Sequence, residues 1–134
     1  MIERKDKFYR EFLENNLFYA TFVIGHDGGS IAYNKSPQIG ESDAIIKGFK
    51  NIKKWKNLKI IGEEFLIYNV DNNKVYAHNE KHGCILIKTN KAYIIGIYPK
   101  KQEVSPRSVY LEKFCKQYDE EDIIKINEKE KYVF

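Results

Sequence analysis

The apolar positions of this chain change their period along its length, and each change marks an element. Over residues 5–16, Phe8, Tyr9, Phe12 and Leu13 recur at spacings of one, three and four, which makes one face of a helix. Residues 17–24 form a dense β-branched and aromatic run. It ends in Gly25-His26-Asp27-Gly28-Gly29, a cluster suited to a tight turn, so Ser30 to Tyr33 is expected to pair back as a hairpin. Ser42 offers an N-cap for a second helix whose stripe is Ile45, Ile46, Phe49 and Ile52. The period then falls to about two for roughly forty residues, giving strands over 58–61, 65–70, 75–79, 84–88 and 92–98. Their connections are too short for parallel crossovers, which need about a dozen residues, so the strands must be antiparallel neighbours. Ser105 and Pro106 suit the N-cap and first position of a third helix, with Leu111, Phe114, Cys115 and Tyr118 facing inward.

Together these elements predict an α+β fold: a central antiparallel β-sheet meander flanked by N- and C-terminal helices and a further helix. One domain spans residues 1–134, with 119–134 as an acidic C-terminal extension. In that extension Ile123, Ile124 and Ile126 fit a longer helix, a short strand or a surface segment.

Composition narrows the function. With 43% apolar residues the chain can build one core unaided, and no apolar run approaches the roughly 20 residues of a membrane span. The mixed charges of Met1 to Lys7 argue against a targeting peptide, so a soluble, intracellular protein is expected. Cys84 and Cys115 are too few for a disulfide framework and read as reduced and structural. The net charge of +4 is unevenly spread: Lys47, Lys50, Lys53, Lys54, Lys56 and Lys59 fall within 13 residues that hold no acid. Such a run is either a solvated face or a surface for an anionic partner, an acidic protein or lipid headgroups. Among residues 119–130 the sign reverses.

No motif supports catalysis. Gly28-Gly29 lacks the context of a phosphate-binding loop, and no acid, base or nucleophile converges. The best metal candidate, His78-x-x-x-His82-x-Cys84, is interrupted by the turn expected at 80–83, and no metal or cofactor is predicted. His26 reads as a turn residue that hydrogen-bonds locally. Tyr9, Phe12 and Tyr118 have two readings: core residues, or an aromatic groove between terminal helices of the kind that captures polyproline.

The order of elements and several segments resemble the profilin family. Ile24-Gly25-His26-Asp27-Gly28 looks like its I-G-x-D-G turn, and Ile61-Gly62-x-x-Phe65-x-Ile67 resembles the start of its strand meander. The run from Gly83 to Tyr98 is similar to the family hairpin that reads about G-I-x-I-x-K-T-x-x-x-L-V-x-G-I-Y. The resemblance implies a non-enzymatic, monomeric, cytoplasmic, cytoskeleton-associated protein that binds monomeric actin, regulates its polymerisation and nucleotide exchange, and engages proline-rich segments and phosphoinositides, but not nucleic acid. Carried over by position, it implies actin contacts from Trp55, Ile67, Asn69, His78, Glu80, Lys81, Gly83, Ser108, Val109 and Glu112. Trp55, amid basic residues, would be an exposed interface centre. A proline-rich ligand would meet Tyr9, Phe12, Tyr33 and Tyr118, and phosphoinositides would meet Lys50, Lys53, Lys54 and Lys56. The chain departs from the family where W-x-x-Y becomes Tyr9 and Phe12, and where a strand Trp gives way to Ala32 and Tyr33. Losing two indoles removes flat surface and N–H donors, so weak or absent polyproline binding is expected. The competing readings are a PAS-like small-ligand sensor, which needs inward polar groups, and a longin- or roadblock-like scaffold that dimerises through a sheet edge.

Overall fold

In the computed structural model the chain is described over residues 2–120 and, for its backbone, residues 132–133; side chains are described from Lys7 to Glu120. The expected possibilities for Ile123, Ile124 and Ile126 lie outside the described residues.

Helix α1 (Ile2–Leu13) leads into the hairpin β1 (Ala20–Gly25) and β2 (Ser30–Tyr33), followed by α2 (Glu41–Lys50) and a 3-10 turn at Ile52–Lys54. A meander follows: β3 (Asn57–Ile60), β4 (Glu63–Asp71), β5 (Lys74–His78), β6 (His82–Lys88) and β7 (Ala92–Pro99). Helix α3 (Val104–Glu120) and a short β8 (Tyr132–Val133) complete the chain. One sheet takes all the strands in the order β3-β4-β5-β6-β7-β1-β2-β8. The pairings are antiparallel except the last, in which β8 lies parallel to β2 with Ala32 opposite Tyr132 and Tyr33 opposite Val133.

Helices cover both faces because the strands of the sheet centre are apolar on both sides, as the unbroken burial of β1, β6 and β7 requires. On one face α1 and α3 pack with Val23, Ile85, Ile87 and Ile94; on the other, α2 packs Ile45 and Phe49 against Phe22, Leu86, Tyr93 and Ile95. Arg107, at the start of α3, ties the first face together, donating Nε–H to the Leu17 carbonyl (2.7 Å) and Nη1–H to that of Glu103 (2.9 Å).

Two helix starts differ from expectation. Gly40 at φ +87°, not Ser42, precedes α2, and with no side-chain cap there the first helical residue does the work. The buried Glu41 carboxylate accepts N–H bonds from Gln38 (2.8 Å), Ile61 (2.7 Å) and Gly62 (2.8 Å), fastening the helix start to the β3–β4 turn. That turn runs through positive φ at both Ile61 (+47°) and Gly62 (+78°), a geometry a β-branched residue resists and the carboxylate holds in place. Helix α3 begins at Val104, one residue before Ser105, with Pro106 still inside the first turn where it forfeits no intrahelical bond.

Strand β4 carries a bulge. Leu66 faces His78 and Ile67 faces Ala77, but then Asn69 faces Tyr76, leaving Tyr68 as the extra residue. The alternation resets there: Phe65 and Ile67 pack toward α2 before the bulge, and Val70 does so after it.

Candidate functional site

The N-terminal half of α3 and the outer strands β4 and β5 build one continuous face. Ser105, Ser108, Val109 and Glu112 lie on one stripe of α3 by their spacing of three and four. The Ser108 hydroxyl lies 2.9 Å from the Tyr76 hydroxyl, and Lys74 Nζ donates to the Glu112 carboxylate, so β5 and α3 are joined by two polar contacts. The Glu112 hydrogen bond and charge hold the Lys74 ammonium above its ordinary range despite partial burial. Beyond them the Tyr68 ring meets Tyr76 (6.4 Å between centroids) and stands edge-on to His78 (4.7 Å). Leu66, opposite His78, is 55% exposed, Tyr68 52% and Val109 61%. Those are three of the largest exposed apolar side chains of the described residues, gathered on a single face.

The expected actin contacts divide across this geometry. Ser108, Val109, Glu112 and His78 come together on the face just described. Glu80 and Lys81 are exposed on the β5–β6 connection at its end. Gly83 is buried beneath Tyr98, whose ring would lie 2.3 Å from a Cβ there, so it offers no surface. Ile67 packs on the α2 side, one residue out of phase with Leu66 and Tyr68, the β4 side chains that do reach the face. Asn69 is exposed past the bulge, beside Ile67 and Trp55 in one hollow. Trp55 is half-buried, not fully exposed: its indole lies on Gly48 and meets Phe49 edge-on (5.3 Å), on the α2 side. Leu66, Tyr68, Tyr76 and Lys74 were missed from the sequence. The signal that could have found Tyr68 is Tyr68 and Asn69 standing between two inward apolar residues, Ile67 and Val70, where strict alternation allows one.

The aromatic groove is not present as expected. Tyr9, Phe12 and Tyr118 are each 1% exposed, the core reading of the two. Phe12 stacks on Phe114 (3.9 Å, 11°), and the Tyr9 hydroxyl reaches that of Tyr118 at 3.4 Å. Tyr33 packs on the opposite, α2 side of the sheet, and the β2 residues in the cluster of the terminal helices are the buried Ile31 and Ala32, neither of them aromatic.

Lys50, Lys53, Lys54 and Lys56 are all exposed, as are Lys47 and Lys59, and they surround Trp55. The His78, His82 and Cys84 set does not converge. Cys84 is buried in the α2-side core, where desolvation pushes its thiol far up. His82 Nδ1 lies 2.7 Å from Glu63 Oε1, and its ring stacks on Tyr19 (4.8 Å). Burial pushes the Glu63 carboxyl up, but bonds from His82 and Asn79 outweigh it and hold the acid below its ordinary value. His26 Nε2 lies 3.2 Å from the Thr89 carbonyl oxygen, a local role. Among the described residues no group of three or more His, Cys, Asp or Glu is placed to hold a metal, and no helix is long and apolar enough to cross a membrane.

The profilin family model matches residues 7–119. Profilin-A of Physarum polycephalum is 29% identical over 96 residues, 69% of this chain and 77% of that one. Profilin-1 of Dictyostelium discoideum is 30% identical over 96 residues, 68% of this chain and 76% of that one. Among solved structures, Acanthamoeba castellanii profilin II superposes with a TM-score of 0.71 at 24% identity, covering 81% of this chain and 94% of its own. A LokiProfilin2 solved in complex with rabbit actin superposes with a TM-score of 0.70 at 15% identity, covering 93% and 96%. With the fold on both faces of the sheet and the family match over most of its length, the chain belongs to the profilin family.

Proposed function

We propose that this chain binds monomeric actin through the face built by α3 and strands β4 and β5, and thereby regulates polymerisation and nucleotide exchange. The observation that carries the reading is the cluster of Leu66, Tyr68 and Val109, exposed around the Tyr76–Ser108 and Lys74–Glu112 contacts. Exposed apolar side chains inside a ring of polar groups are the anatomy of a protein interface. It lies where the family resemblance puts the actin contacts, and the structural relative LokiProfilin2 was solved with actin. His78, Ser108, Glu112, Glu80 and Lys81 frame this face; Trp55, Ile67, Asn69 and Gly83 fall outside its centre. The protein acts without catalysis, as a monomer in the cytoplasm beside the cytoskeleton.

Polyproline binding is weak or absent in this reading. Three of the aromatic side chains that would serve it are core residues, and the fourth, Tyr33, is on the other side of the sheet. Phosphoinositide binding in this reading rests on Lys50, Lys53, Lys54 and Lys56, which are exposed to meet phosphate.

The test is a pyrene-actin assembly assay with wild-type protein, Tyr68→Ala and Val109→Asp. Wild type is expected to lengthen the nucleation lag, and each variant to lose at least about tenfold in apparent affinity, as hot-spot truncations do. A wild-type protein without effect on assembly would overturn the reading, and equal activity of both variants would overturn the assignment of the face.

A further inference from the structure

A row of paired residues runs from the exposed face into the core. Leu66 of β4 is opposite His78 of β5, His78 is opposite Gly83 of β6, and Gly83 is opposite Tyr98 of β7. Residues paired across strands share a face of the sheet, so four side chains would stand abreast here. Glycine leaves its place in the row empty, and the Tyr98 phenol fills it. A Cβ at residue 83 would lie 2.3 Å from Tyr98 Cζ and 2.4 Å from its hydroxyl oxygen. The hydroxyl therefore stands over β6, one strand spacing of about 4.8 Å nearer the face than the strand it comes from. There it meets Tyr68: burial first, and then the Tyr68 hydroxyl beside it, push the Tyr98 phenol up. The Tyr98 ring is held by its own neighbours. Phe18 meets it edge-on at 6.4 Å, and Arg107 Cζ lies 5.7 Å from its centroid, with that guanidinium fixed in turn on the Leu17 and Glu103 carbonyls.

We propose that Tyr98 is a positioning residue for the actin face, its hydroxyl orienting Tyr68 from below while Gly83 keeps the passage between them open; the inference rests on the actin reading above. Tyr68 needs such a support more than its neighbours do. It is the extra residue of the β4 bulge, without a partner opposite it on β5, and it is half exposed. Its contacts with the Tyr76 and His78 rings are weakly directional, whereas a hydroxyl pair fixes the far end of the ring. A large side chain held in place before docking surrenders less rotamer freedom on binding, which is how a buried residue three strands away from β4 acts on affinity. Gly83 gains a part in recognition by the same geometry. It touches no partner, and its contribution is the absence of a side chain under the Tyr98 ring.

The test is a double-mutant cycle in the intact chain, with Tyr98→Phe and Tyr68→Phe made singly and together. Each removes one hydroxyl and leaves the ring, and circular dichroism checks that the variants fold. Affinity for monomeric actin is read from pyrene-actin assembly. Tyr98→Phe is expected to weaken it about three- to tenfold, the size of one neutral hydrogen bond, and to cause no further loss once Tyr68 is already Phe. A merely structural tyrosine would cost the same in both backgrounds, and that result would overturn the inference. A second readout needs no actin. In protein carrying tyrosine isotopically labelled at Cζ, the Tyr68 Cζ resonance follows the hydrogen bonding of its hydroxyl, and Tyr98→Phe should move it. An unmoved Tyr68 signal would also overturn the inference, whatever the assembly assay shows. Wild-type protein without effect on assembly, alongside a moved signal, would overturn the actin reading alone and support the positioning of Tyr68 by Tyr98.

Discussion

Replacing Glu41 by Gln alters no volume and tests whether one carboxylate holds α2 to the meander. Its two oxygens accept three backbone N–H groups at 2.7–2.8 Å, two of them from the β3–β4 turn. A hydrogen bond to a charged acceptor contributes about 1.5–3 kcal/mol when lost. Glutamine keeps one acceptor, which can still serve Gln38 and Ile61, but its amide meets the Gly62 N–H donor to donor. Because Gly62 is exposed and water can replace part of that bond, the lower part of the range applies, about 2 kcal/mol. The carboxylate also sits in the first turn of a helix whose N-cap has no side chain, so its charge opposes the positive helix end, and this too is lost. For a domain of this size about 2 kcal/mol lowers the melting temperature by roughly 8 °C. Glu41→Ala, which strands all three donors, should fall further. Thermal melts by circular dichroism read the loss, and hydrogen exchange at the Ile61 and Gly62 amides should quicken in both variants. Melting within about 2 °C of wild type for both, with unchanged exchange, would refute the reasoning and make the turn self-supporting.

Three more outcomes follow from contacts already described. Gly48→Ala should destabilise by about 1–3 kcal/mol, although alanine favours a helix, because its Cβ collides with the Trp55 ring; a red-shifted indole emission and a lower melting temperature are the readouts. Cys84 and Cys115 are buried and burial raises both thiols, so Ellman's reagent should titrate neither in the native protein and both in guanidinium; fast native labelling would contradict the burial. The Glu63 carboxyl is held below its ordinary value of 4.5, so its pairing stabilises at pH above that value and is lost as pH falls through the lowered one. Glu63→Gln should therefore cost about 1 kcal/mol near pH 6 and nothing at pH 2, read from melts across pH, with the modest size set by a side chain still 27% exposed.

Much of the fold was legible because its signals are local. The period change after Lys59, the short meander turns and the inward stripe of Leu111, Phe114, Cys115 and Tyr118 each depend on neighbours a few residues away. The expected strand over 84–88 extends two residues earlier in the structure, and that over 17–24 begins only at Ala20, since Asn15 accepts the Leu17 and Phe18 N–H groups in a turn. The helix starts were less legible. Ser42 looks like a cap by type, but the partner that decides the matter is a carboxylate whose other two donors are 20 and 21 residues away. The candidate site fared likewise. Ser108, Val109 and Glu112 came from the family resemblance, and the spacing along α3 brings them to one stripe; Ile67, carried over in the same way, packs on the α2 side, because a bulge shifts phase without a motif to announce it. Tyr33 lies on the α2 side for a related reason, since which sheet face a side chain joins depends on register with strands distant in sequence, and the half-burial of Trp55 comes from its packing on Gly48 and Phe49 of α2.

The extra residue at Tyr68 also restricts how this protein can diverge. Deleting it would straighten β4 and exchange the solvent-facing and buried positions of everything from Asn69 to Asp71, pulling Val70 out of the core and driving a polar side chain into its place. Lengthening the strand by one would do the same. The β4 surface is thus open to change in side-chain chemistry but closed to change in length. Related chains that recognise altered partners through this strand should differ there by substitution, with insertions and deletions confined to the Asn72–Asn73 turn beyond it.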